Sequence, residues 1–123
     1  MLTREMLLTN LSNPKSYLAM RTIGRALIVL NERQTRDEQL AEQTQNHNGV
    51  GFRPCDARMG TSMAKQYAVK NSLSEKQIAY WCQPNVKGVP RIAVYFRQLA
   101  EAAVQKEVVM QAATSFNYGN NVQ

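Results

Sequence analysis

Soft and reactive side chains are scarce in this 123-residue chain, which has two cysteines, Cys55 and Cys82, and one histidine, His47. A zinc site takes four ligands and usually a pair of cysteines two to four residues apart. No such pair exists, so no metal and no cofactor is expected. Two cysteines do not make a disulfide framework, and in a reducing compartment they stay thiols. Long apolar runs are also missing: the longest, Ala26 to Leu30, falls far short of the about 18 residues a bilayer span needs. The N-terminal stretch lacks the basic, apolar and small-residue segments of a secretory signal. A cytoplasmic protein without a membrane partner is the expectation.

What is present argues for a folded chain, with 44% hydrophobic and 20% charged residues. Its length fits one domain with a single modest core. We expect a single helical domain over 1–113 and a C-terminal tail over 114–123, where SFNYGNNVQ loses all periodicity. The net charge of +6 is concentrated rather than spread. Residues 53–98 carry Arg53, Arg58, Lys65, Lys70, Lys76, Lys87, Arg91 and Arg97 against only Asp56 and Glu75. Such a balance suits a polyanionic partner, or else a merely solvated surface.

The clearest local signal is LSEKQI. Ser74 is placed to cap a helix and Gln77, three residues on, to complete a capping box, with Leu73 and Ile78 as the flanking hydrophobic staple. This helix must end near Gln83, because Pro84 disfavours helical geometry in the residue before it. Upstream, Gly49, Gly51, Pro54 and Gly60 crowd too closely for a regular element, and Gly49 and Gly51 are candidates for positive φ. A helix is therefore predicted from Thr61 or Ser62, with Met63, Ala64, Tyr67 and Ala68 on one face. Helix, short turn and capped helix together outline a helix-turn-helix, and equally an ordinary helical hairpin.

Around this region further helices are expected. A short one begins after Thr3, and another at Asn13 and Pro14, with Tyr17, Met20, Ile23, Leu27, Leu30 and Gln34 in one stripe. Gly24 in that stripe costs about 1 kcal/mol relative to alanine, tolerable where another helix packs closely. Thr35 and Glu38 offer a second capping box, so the helix either breaks there or runs on to about Gln45. An unbroken helix would be about 48 Å long, which calls for a bend, a break or a protruding end. Pro90 should open a last helix carrying Ile92, Tyr95, Phe96, Leu99, Ala103 and Met110. The fold class is thus all-α, one small domain of four to five helices.

Motifs for chemistry are weak. Gly49-Val50-Gly51 is no dinucleotide fingerprint, and Gly60-Thr61-Ser62 lacks the lysine of a phosphate loop, leaving a helix cap or a single-phosphate contact. Cys55 lies near His47 and Asp56 in sequence, but a catalytic thiol is defined by spatial geometry. Asp37, Glu38 and Glu42 sit on a polar segment, not on a paired acid-base face. No enzymatic activity is expected. Tyr67, Tyr80, Trp81, Tyr95 and Phe96 alternate with cations, an arrangement that either stacks on bases or fills a core.

The series NERQT, DEQ, HNGVGF, DA, GTSMAKQY and LSEKQIAYW, in that order, resembles a short module of small bacteriophage and plasmid proteins, similar segments of which lie beside helicase-like regions of phage proteins. The resemblance covers about residues 30–98, and the stretch from Arg91 onward, with the preceding NVKG, fits it less closely. It implies a setting, mobile-element DNA metabolism or its conflict with the host. Two functions follow as expectations. One is a non-enzymatic basic accessory protein that binds nucleic acid or a nucleoprotein complex through the eight cations named above. The other is a protein-binding inhibitor of a host defence or replication enzyme, anti-CRISPR-like, with Trp81 and Tyr95 as anchors. Self-association is a third.

Overall fold

A computed structural model describes residues 2–44 and 51–105, with the side-chain surroundings of 37–44 outside the description. Five helices make up this part: α1 (Arg4–Asn10), α2 (Tyr17–Thr44), α3 (Pro54–Lys70), α4 (Glu75–Cys82) and α5 over 96–105, which a 3-10 turn at Arg91–Tyr95 leads into. The described residues form no strand, and none of their helices is long and apolar enough to cross a membrane. The predicted tail, Met110 and the 45–50 segment with His47 and Gly49 fall outside the described residues.

Local capping explains most boundaries. The Thr3 hydroxyl accepts from the Met6 N–H at 3.1 Å and starts α1. The start expected at Asn13 and Pro14 moves to Tyr17. Asn13 spends its side chain on a tight turn, accepting from the Lys15 N–H, and Ser16 Oγ accepts from the Ala19 N–H at 3.0 Å instead. Nor does α2 break at Thr35, whose hydroxyl donates back to the Asn31 carbonyl, the bond a helix-interior threonine makes. The helix therefore runs on through 28 residues. Its buried stripe is Ala19, Ile23, Ala26, Leu27 and Leu30, whereas Tyr17, expected inside, is exposed.

The start of α3 departs most from expectation. It begins at Pro54, seven residues before Thr61, with proline in the first turn and Arg53 extended ahead of it. Glycine spacing misled because Gly60 sits inside the helix for a packing reason: a Cβ there would overlap the Phe52 ring. Gly51 has φ of 91° as expected. Asn71 in the left-handed region ends α3, its N–H donating to the Tyr67 carbonyl at 2.8 Å. The capping box of α4 is complete, Gln77 N–H to Ser74 Oγ at 3.2 Å and Ser74 N–H to Gln77 Oε1 at 2.8 Å. Leu73 and Ile78 are both buried. The amide of Gln77 also exchanges two hydrogen bonds, 2.9 and 3.0 Å, with Gln66 of α3, which locks the cap onto the neighbouring helix.

The main packing is α2 against α3. Gly24 lets the helices approach, since a Cβ there would stand 2.5 Å from the Tyr67 ring. Trp81 of α4 fills the centre with no exposed surface and donates from Nε1 to the Met63 sulfur at 3.0 Å. Phe52 joins it to Tyr95, both ring pairs at 6.1 Å. Gly24→Ala gains about 1 kcal/mol of helix propensity but must displace a buried ring, so a net loss is expected from an overpacking cost of about 1–3 kcal/mol. Urea melts check this together with Ser74→Ala, expected to lose about 1 kcal/mol, and Leu73→Ala, expected to lose about 2–5 kcal/mol.

Candidate functional site

Among the described residues one carboxylate is fully withdrawn from solvent. Asp56, 1% exposed, stands in the first turn of α3, where the helix dipole favours an anion. Its Oδ2 accepts from the Tyr95 hydroxyl at 2.5 Å, and its Oδ1 from Arg91 Nη1 at 2.8 Å and the Tyr80 hydroxyl at 3.3 Å. The Arg91 guanidinium lies 4.4 Å from the centre of the Tyr80 ring, adding a cation–π contact. The Tyr95 hydroxyl in turn accepts from the Arg53 N–H at 3.1 Å, and the Arg53 guanidinium lies over the Tyr95 ring. Three separate stretches of chain thus meet at this acid: Arg53 with the first turn of α3, Tyr80 of α4, and the 3-10 turn.

Burial first, and then the bond to Asp56, push the Tyr95 phenol well above its ordinary value. Burial likewise raises Tyr80 and the Cys82 thiol. A phenol held neutral and a carboxylate already engaged by three donors form a structural clamp rather than an acid-base pair aimed at a substrate. Among the described residues no three histidine, cysteine or acidic side chains gather as metal ligands. Cys55 is exposed, and its neighbour Asp56 points into the clamp instead. Gly60, Thr61 and Ser62 lie inside α3, so they supply neither a cap nor free N–H groups for phosphate.

The eight candidate cations divide seven to one. Arg53, Arg58, Lys65, Lys70, Lys76, Lys87 and Arg97 are exposed, whereas Arg91 is half-buried against Asp56. On α3, Arg58, Ser62, Lys65 and Val69 recur at helical spacing on the outer face, all exposed. Arg58 and Lys65 are about 10 Å apart along the axis, so their fields overlap within the Debye length of about 10 Å at 0.1 M salt. Lys70 follows at the C-terminal end of the same helix, where the dipole favours it. Lys87 stands in a hydrogen-bonded turn, its N–H and that of Val89 donating to Asn85 Oδ1, between Pro84 and Pro90. Arg97 pairs with Glu101 one turn on, both exposed.

Two proposed anchors fail on geometry: Trp81 is wholly buried and Tyr95 is 3% exposed, because both rings are needed by the core. The helix-turn-helix outline is present as α3, a turn and α4. The exposed side chains of the eight-residue α4, Glu75, Lys76 and Ala79, offer little to read base edges. Of the seven exposed cations three, Arg58, Lys65 and Lys70, lie on α3 and one, Lys76, on α4. Comparison with family models, with curated proteins and with solved structures returned no match for this chain.

Removing Asp56 should be costly, since a half-buried arginine loses its partner: Asp56→Ala is expected to lose about 3–5 kcal/mol in denaturant melts. A phenol raised in the folded state contributes stability that is full below the unfolded value near 10 and is lost as pH rises beyond it. Melts from pH 7 to pH 11 should show this alkaline loss, and a smaller one in Tyr95→Phe.

Proposed function

We propose that this protein is a non-enzymatic basic accessory protein that binds nucleic acid, or a complex built on it, through the outward face of residues 53–98. The observation that carries this reading is the fate of the acids in that region. Asp56 is buried and paired with Arg91, so seven exposed cations face solvent, with Glu75 the one exposed acid inside 53–98 and Glu101 just beyond it pairing Arg97. An unbalanced cationic surface gains affinity for a polyphosphate by releasing condensed counterions. The absence of exposed aromatic anchors at Trp81 and Tyr95 points to backbone contacts over base stacking. A setting in phage or plasmid DNA metabolism is part of the proposal and rests on the sequence resemblance.

One observation favours the protein-binding inhibitor instead. Val69, 82% exposed, continues the line of Arg58 and Lys65, so the outer face of α3 mixes apolar and cationic groups as protein interfaces do. Salt dependence separates the two. With about four to six phosphates neutralised, the log–log slope should be roughly −3 to −5, and Arg58→Glu with Lys65→Glu should weaken binding on all sequences alike. A protein partner would give a shallow slope and a steep loss on Val69→Asp. Titrations of labelled DNA and RNA at several salt concentrations check this; no binding at about 50 mM salt would sink the nucleic-acid reading.

A further inference from the structure

Away from the cationic face of α3, a groove of about 440 Å³ opens between α1, α2 and α5. Its lining is mostly aliphatic: Leu7, Ala26 and Leu99 are buried, Val29 and Ala103 half-buried, and Leu18 exposed at one end, with Asn10 and Thr22 among them. Along α2 it runs from Leu18 to Val29, about 16 Å at the rise of a helix. Arg21 and Arg25, also lining it, are exposed and stand one helical turn apart. Neither pairs with a carboxylate among the described residues.

We propose that this groove is a docking site for an acidic amphipathic helix of another protein. Apolar grooves between helices accept helices that present aliphatic anchors at i, i+4 and i+7, a span of about 10 Å that fits within this groove. The cations decide the chemistry of the rim. Two arginines one turn apart match two carboxylates one turn apart on a helix lying alongside α2, whereas a fatty acid brings one carboxylate and leaves one arginine unanswered. A second copy of the chain does not meet the requirement. In the whole sequence only Glu38 and Glu42 are acids three or four residues apart, and the aliphatics between them stop at Leu40 and Ala41. This inference stands apart from the nucleic-acid reading, since it uses another face and other residues.

A phage-displayed library of helical peptides, panned on the full chain, tests it. Enriched peptides should carry two acids one turn apart beside aliphatics at i, i+4 and i+7. Anisotropy with the best labelled peptide should then show weakening of about tenfold or more, about 1.4 kcal/mol, for Arg21→Glu with Arg25→Glu, and also for Val29→Lys. The charge reversals are at exposed helical positions, so they leave the fold intact even where Val29→Lys does not. Replacing the two peptide acids by lysine should restore binding to the reversed protein and abolish it for the wild type. The proposal is overturned by a library that yields no binder, by binders indifferent to the arginine reversal, or by sedimentation showing a dimer that the reversal splits. Oleate displacing a bound fluorescent fatty acid, with no helical peptide able to do so, would overturn it in favour of a lipid.

Discussion

A buried carboxylate is expensive unless a counter-charge and hydrogen-bond donors meet it, and Asp56 is the point where this chain supplies both. Tyr95, Arg91 and Tyr80 answer it from residues 24 to 39 positions further along. Because these donors sit on α4 and the 3-10 turn, satisfying the acid also fixes where both lie against the start of α3. Arg91 keeps a buried Nε without a partner of its own, a remaining cost that the ion pair and the Tyr80 ring offset.

The aromatic core follows from the same arrangement. Phe52 can rest on α3 because Gly60 leaves room for its ring, and from there it touches both Trp81 and Tyr95. Trp81 meets Met63 through its indole N–H, so no polar group is stranded at the centre. On the other side, Gly24 admits the Tyr67 ring and brings α2 down onto α3. Two glycines inside helices therefore act as seats for rings, at a propensity cost that packing offsets.

This packing has an electrostatic result. Taking Asp56 and Arg91 inside leaves the net charge of the region unchanged, but it removes the carboxylate most able to screen the outer face of α3. Arg58, Lys65 and Lys70 consequently meet solvent with no acid on their own helix exposed. The groove beside Arg21 and Arg25 lies on different elements, α1, α2 and α5, so one small domain presents two chemically distinct surfaces.

Local physics was legible in the residues themselves. The capping box at Ser74 and Gln77, the stop before Pro84, the all-α class and the need for close packing at Gly24 all depend on neighbours a few positions away, and all stand in the structure. The start of α3 was not legible, because whether Gly60 breaks a helix or seats a ring depends on Phe52 folding back onto it. The continuity of α2 through Thr35 was open for a similar reason, as a threonine hydroxyl serves equally as cap acceptor or as donor to the preceding turn. An acid in a first helical turn after proline is a weak sign of Asp56's position, but nothing local foretells partners as far away as Arg91 and Tyr95. Sequence by itself determined the helical class, the capped start of α4 and the concentration of cations in 53–98, since propensity, capping and charge are properties of short segments. Only tertiary structure decided which aromatics are core and which charge is withdrawn, because burial is set by contacts between residues distant in the chain.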